Sequence, residues 1–96
     1  MEFRRNGRRY TWTQADEDAS RAQHGVSFRL AARVFDQDLY LEGPAPGRRQ
    51  GARVAIGPAA ELILTVVHQP RPDGARILSA RRATAVEARW YEQEAH

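Results

Sequence analysis

The run Leu62-Ile63-Leu64-Thr65-Val66-Val67 constrains this chain more than any other stretch, because it is apolar on both faces of an extended backbone. A strand of that kind needs cover on both sides, so it belongs inside a sheet rather than at its edge. The spacing predicts a strand over Glu61 to Gln69. Pro70-Arg71-Pro72-Asp73-Gly74 then supplies dense turn chemistry, and Arg76 to Ala80 returns antiparallel to complete a hairpin. Upstream, Ala52 to Gly57 alternates Val54 and Ile56 with small residues and Arg53, as a strand with one buried face does.

Helix signals flank these strands. After the short β-prone segment Tyr10-Thr11-Trp12, Thr13 is placed to cap a helix whose first turns carry Asp16, Glu17 and Asp18, where carboxylates favour the positive end of the dipole. That helix is expected to reach about His24, with Gly25 in the left-handed position beyond it. Ser27 caps a second expected helix, Phe28 to Phe35, in which Phe28, Ala31, Ala32 and Phe35 recur at i, i+3, i+4 and i+7 as a core stripe. Asp36 to Asp38 ends it, Leu39-Tyr40-Leu41 reads as a strand, and the Pro and Gly of Gly43 to Gly51 mark a loop. Thr84-Ala85-Val86-Glu87 matches a capping box and opens a terminal helix to about Glu94. The order segregates helices from strands, which predicts an α+β fold with two N-terminal helices, a mostly antiparallel sheet and a C-terminal helix. At 96 residues, a single domain over 1–96 is expected.

Several chemistries are set aside by what the chain lacks. No apolar run approaches the roughly 18 residues a membrane span needs. With no cysteine there is no disulfide, thiolate nucleophile or Cys-based zinc site, and His24, His68 and His96 have no close ligand spacing, so neither metal nor cofactor is expected. Arg4, Arg5, Arg8 and Arg9 are followed by Asp16-Glu17-Asp18 where a secretion signal would carry an apolar core, which predicts a cytoplasmic protein without membrane contact. All fifteen cationic residues are Arg, for a formal charge of +3 and a pI near 10.2. Arg keeps its charge at any working pH and offers a planar fork suited to phosphate, so nucleic acid or an acidic partner is favoured.

Arg81 and Arg82 stand between the returning strand and the capped helix, a junction that fixes their backbone, and a continuing strand would turn only one of them to a given side. Beside the helix start at Thr84 they can form an anion site, or one can pair with Glu87. His24 suits a helix C-terminus structurally and acid–base work chemically. His68 shares a strand face with Leu62, Leu64 and Val66 and is expected at the core margin. Trp12, Tyr40, Trp90 and Tyr91 are able to stack on unpaired bases. In a chain this short aromatics are mostly core, so Trp90, on one helix face with Val86, is expected to pack, which leaves Tyr91 beside Glu87 as the functional candidate. Gly43 to Gly47 lacks the Lys-Ser/Thr ending of a phosphate-cradling loop.

Three blocks, read together with Trp12, resemble the BrnT-type ribonuclease toxins of bacterial type II toxin–antitoxin systems, a family related in fold to RelE-like toxins. They are His24-Gly25-Val26-Ser27-Phe28 with Ala31, Ala32, Val34, Phe35 and Asp36; Arg53-Val54-Ala55-Ile56-Gly57 running into Leu62 to Val67; and Arg76-Ile77-Leu78-Ser79-Ala80-Arg81-Arg82-Ala83-Thr84 with Glu87, Tyr91 and Glu92. The resemblance implies a metal-independent ribonuclease acting on RNA, held silent by a ribbon-helix-helix antitoxin through which the pair binds its operator DNA. By position, His24, Arg53, Arg81, Arg82, Glu87 and Tyr91 carry over as site residues. The chain departs from the pattern at Gln23, where Lys is usual, at Ser20, where Asn is usual, and at Asp16 and Ala88, where basic residues are usual. Two functions are therefore expected to compete. In the first, RNA is cleaved with Arg81 or Arg82 and Arg53 stabilising charge, His24 or Glu87 moving protons, and Tyr91 as donor or stacking platform. In the second, a catalytically degenerate module pairs with the antitoxin as co-repressor.

Overall fold

A computed structural model describes residues 1–36, 40–45, 47 and 51–94. Among these residues six strands form one sheet: β1 (Glu2–Arg5), β2 (Arg8–Thr11), β3 (Leu41–Pro44), β4 (Arg53–Ala59), β5 (Leu62–Arg71) and β6 (Gly74–Arg82), in the spatial order β1-β2-β6-β5-β4-β3. Every neighbouring pair is antiparallel except β2 and β6. The apolar run lies on β5, which has β4 on one side and β6 on the other, as its two apolar faces require. Its core face carries Leu64, Val66 and His68, all buried, with His68 only 2% exposed and set edge-on against the Phe35 ring at 4.8 Å. No helix among the described residues is long and apolar enough to cross a membrane.

β6 is not a regular partner. Val67 faces Ser79 while the next residue, His68, faces Ile77, so Leu78 is an extra residue that bulges the strand. Below the bulge Ala75 and Ile77 point into the core; above it Ala80 takes that role and the odd-numbered positions change face. Ser79 and Arg81 consequently emerge on the side away from the core.

The helices follow their caps. Thr13 Oγ1 accepts from the Asp16 amide at the start of α1 (Gln14–His24), and Gly25 closes the helix in the left-handed region at φ 72°. β2 reaches only Arg76 on β6, which leaves the upper edge of β6 unpaired by a strand. Ser20 of α1 fills the gap: its hydroxyl donates to the Ala80 carbonyl and accepts from the Ala80 amide, both at 3.1 Å. The Ser20 side chain thus fastens α1 to the sheet edge. Buried Glu17 accepts from the Phe28 amide at 3.0 Å and ties α1 to α2 (Phe28–Ala31), which Ser27 caps.

Three expectations need correction. The second helix is not α-helical from Phe28 to Phe35: α2 covers one turn, and Ala32–Asp36 continues as a 3₁₀ segment. The tighter repeat of three residues explains the burial, because Ala31 with Val34 and Ala32 with Phe35 each recur at i, i+3, which brings Val34 inside as well. The chain also opens with a hairpin rather than one short strand. Asn6 and Gly7 both have positive φ, at 53° and 77°, the geometry of a two-residue type I′ turn between β1 and β2. Finally, Gly43 and Pro44 belong to β3, not to the loop after it. Leu39, within the expected strand at Leu39 to Leu41, lies outside the described residues, as do Gln37 and Asp38, while β3 itself begins at Leu41.

Gly74, where β6 begins, sits so close to β2 that a Cβ there would overlap the Arg9 backbone, whereas Gly43 has open space around its Cα. Gly74→Ala should therefore cost about 1–3 kcal/mol through overpacking, while Gly43→Ala leaves stability within about 0.5 kcal/mol. Denaturant unfolding of the two variants beside the parent checks this, and equal midpoints would contradict the close β2–β6 approach.

Candidate functional site

Above the bulge, Arg81 meets α3 (Ala85–Glu94). Its Nη1 donates to Glu87 Oε1 at 2.6 Å and its Nη2 to Glu87 Oε2 at 2.9 Å, a bidentate fork. The Glu87 carboxylate is itself held from two further directions. Oε1 also accepts from buried Thr65 on β5 at 3.0 Å and from the Thr84 amide at 2.8 Å, and Thr84 Oγ1 accepts in return from the Glu87 amide at 3.1 Å. The capping box expected at Thr84 to Glu87 is present, and the same carboxylate that closes it clamps Arg81.

These contacts set the charge states. The guanidinium of Arg81, then the Thr84 amide and the Thr65 hydroxyl, hold the Glu87 carboxyl down to about 2 against the opposing effect of burial. Glu87 in return raises Arg81. At neutral pH the pair is fully ionised, and a carboxylate held so low is a poor proton acceptor. Among the described residues, Arg81 spends three of its five N–H donors, two on Glu87 and a third, on Nη1, on the Arg82 carbonyl. The Nε–H and the second Nη2–H remain on one edge of the plane, the spacing that suits two oxygens of a phosphate.

Arg81 lines a cleft of about 390 Å³ together with Gln23, His24, Ala45, Val54, Thr65, Val67 and Ser79. His24 arrives from the C-terminus of α1, exposed at the mouth. Thr65 and Ser79 come from the non-core face of the sheet, on opposite sides of the cleft floor to the core residues behind them.

Of the six expected site residues, the fold gathers His24, Arg81 and Glu87. Arg82 follows Arg81 on the strand and turns to the other face, exposed, so the alternation anticipated for this pair holds. Arg53 is not brought to the cleft: it neighbours Val54, whose side chain lines it, and pairs instead with Glu42 on β3. Tyr91 is half-buried one turn beyond Glu87 on α3. His68, core-facing, takes no part.

One feature went unread in the sequence, and one expectation, that Trp90 packs with Val86, needs correction. Thr65 is the only polar residue in the run Leu62 to Val67, and that exception marks the hydroxyl that reaches Glu87. Trp90 does not pack: it is 54% exposed and Val86 52%. α3 is held at its first turn by polar contacts, with no buried residue, and Trp90 borders an open groove of about 380 Å³ walled by Leu41, Pro44, Val54 and Ile56.

Residues 12–87 match the family described as "Ribonuclease toxin, BrnT, of type II toxin-antitoxin system". No curated protein matches the chain.

Glu87→Gln keeps the shape of the carboxylate and removes its charge, so it should cost on the order of 1–2 kcal/mol at neutral pH. Because the folded carboxyl is depressed from 4.5 to about 2, its contribution is present above about pH 4.5 and is lost as pH falls towards 2. Thermal unfolding of parent and variant across that window should show a gap that closes on acidification; a gap independent of pH would mean the charge does not matter.

Proposed function

We propose that this chain, which belongs to the family of BrnT ribonuclease toxins of type II toxin–antitoxin systems, cleaves RNA by internal transesterification at the cleft between α1 and the bulged strand. The observation that carries the reading is the meeting of His24 and Arg81 in one cleft, with the Arg81 guanidinium held in place by the Glu87 carboxylate. A ribose 2′-oxygen attacks the neighbouring phosphorus, the bond from phosphorus to the 5′-oxygen breaks, and a 2′,3′-cyclic phosphate and a 5′-hydroxyl result. No covalent enzyme intermediate is needed.

In this reaction Arg81 stabilises the charge that develops on the non-bridging oxygens, and Glu87 positions it rather than moving protons. His24 takes the proton of the 2′-hydroxyl. Tyr91, on the face of α3 that Glu87 shares, is the candidate donor to the departing 5′-oxygen. Charge stabilisation through guanidinium donors gives a metal-independent step. Arg82 and Arg53 act at longer range, Arg82 on a flanking phosphate and Arg53 through its hold on Glu42. A ribbon-helix-helix antitoxin neutralises the toxin in the cytoplasm and carries the pair to operator DNA. The whole of 1–96 acts as one RelE-like domain.

A second reading has its own observation. Gln23 lines the cleft at the position where the family pattern has Lys, which removes a cation from beside the phosphate site. A cleft too weakly charged for catalysis would leave an antitoxin-binding co-repressor.

Purified protein incubated with RNA separates the two. RNA should be degraded in the presence of a chelator, and degradation should stop when the antitoxin is added. Arg81→Lys keeps charge but loses the planar fork, and should slow cleavage on the order of 10²-fold, whereas Arg82→Lys stays within a few-fold of the parent. A folded Arg81→Ala variant as active as the parent would sink the assignment, and an inert parent would favour the co-repressor.

A further inference from the structure

We infer that the groove under Trp90 is a subsite for one unpaired nucleobase of the RNA strand, next to the nucleotide whose phosphate lies on Arg81; the inference rests on the ribonuclease reading and extends it. The groove adjoins the cleft: Val54 lines both, and Glu87, which lines the groove, is the residue that clamps Arg81. A strand whose phosphate meets the free edge of Arg81 therefore has an adjoining base within reach of the groove.

The chemistry of the groove suits a base. Leu41, Val54 and Ile56 form an apolar floor, and the Trp90 indole stands over it half-exposed, with no ring contact to any other described residue. An exposed indole beside an apolar floor gives a flat π-surface on one side and dispersion contact on the other, the arrangement by which proteins hold unpaired bases. The size argues in the same direction. A concave site of about 380 Å³ falls in the range of small-ligand pockets, while a stable protein interface needs roughly 800 Å² from each partner. Among the described residues that line the groove none is cationic and its two charged side chains, Glu42 and Glu87, are carboxylates, which repel a phosphate, so the base rather than the backbone fits there.

The test uses the unaltered protein and short single-stranded RNA oligonucleotides of each base, 2′-O-methylated throughout so that internal attack is blocked. Binding is read by anisotropy and by tryptophan emission; Trp12 is 3% exposed, so a change in emission reports Trp90. Moving a single abasic nucleotide along the strand should weaken binding about tenfold at one position and little elsewhere. Trp90→Ala should lose the same factor and become indifferent to that abasic position, while Trp90→Phe keeps most of the affinity; at 54% exposure neither change threatens the fold.

If unmodified RNA is degraded but no abasic position and no Trp90 substitution costs more than twofold, the subsite is wrong and the ribonuclease reading stands. If the abasic effect is found but RNA is never cut, the subsite stands and the cleavage reading falls. Failure of the methylated strands to bind at all overturns the subsite, as does a Trp90→Ala variant that retains RNA and loses a co-purifying antitoxin, which would give the groove to the protein.

Discussion

The bulge at Leu78 is the constraint from which the rest of the site follows. Without it, β6 would continue the alternation that buries Ala75 and Ile77, and Ser79 and Arg81 would point into the core. A guanidinium there would be desolvated among apolar side chains such as Leu64 and Val66. One inserted residue exchanges the faces, so that Ala80 fills the core and Arg81 enters the cleft. It also sets the backbone of Ala80 against α1, where Ser20 satisfies both of its polar groups, and α1 in turn carries His24 to the cleft mouth. Strand irregularity, helix docking and site geometry are thus one arrangement.

Glu87 is the second point of convergence. Its carboxylate receives a guanidinium fork, a hydroxyl from the neighbouring strand and the first amide of its own helix. Because α3 buries no residue, this polar cluster is what fixes the helix to the sheet. The consequence is a division of labour between two side chains of opposite sign. Glu87 holds one edge of Arg81 so firmly that the other edge is oriented without reorganisation, which is what electrostatic stabilisation of a transition state demands.

Much of this architecture was legible in the residues. The two-faced apolar run of Leu62 to Val67 specified an interior strand, and the caps at Thr13, Ser27 and Thr84 marked helix starts that the structure keeps, because each rests on chemistry local to three or four residues. The Asn6-Gly7 turn was equally local and gave a signal that was passed over, since its flanking strands are rich in Arg rather than apolar residues. The 3₁₀ winding after Ala31 was less accessible: apolar positions at 31, 32, 34 and 35 satisfy either repeat, and only contact with the sheet chooses. The bulge was beyond reach, as strand parity around Leu78 depends on which partner residue sits opposite. That is why Arg81 and Arg82 could be read as a pair of which one faces the phosphate, but not which one. The placement of Arg53 was hidden for a related reason: strand alternation with Val54 sends it to the face opposite the cleft, where it pairs with Glu42.

The charge pattern separates capture from chemistry. Arg81 is neutralised by Glu87 and Arg53 by Glu42, so the neighbourhood of the cleft contributes little to the formal +3 of the chain. The long-range field comes instead from exposed arginines such as Arg21, Arg33, Arg82 and Arg89, which have no ion-pair partner among the described residues. Those charges are screened over about 10 Å at 0.1 M salt, whereas hydrogen bonds of fixed geometry at the cleft are not. Salt therefore acts on the encounter with an anionic strand and leaves the clamped fork intact. A side chain that supplied both functions would have to be free to meet its substrate and fixed to act on it; in the proposed ribonuclease, the paired Arg81 and the peripheral arginines without ion-pair partners among the described residues divide the two demands.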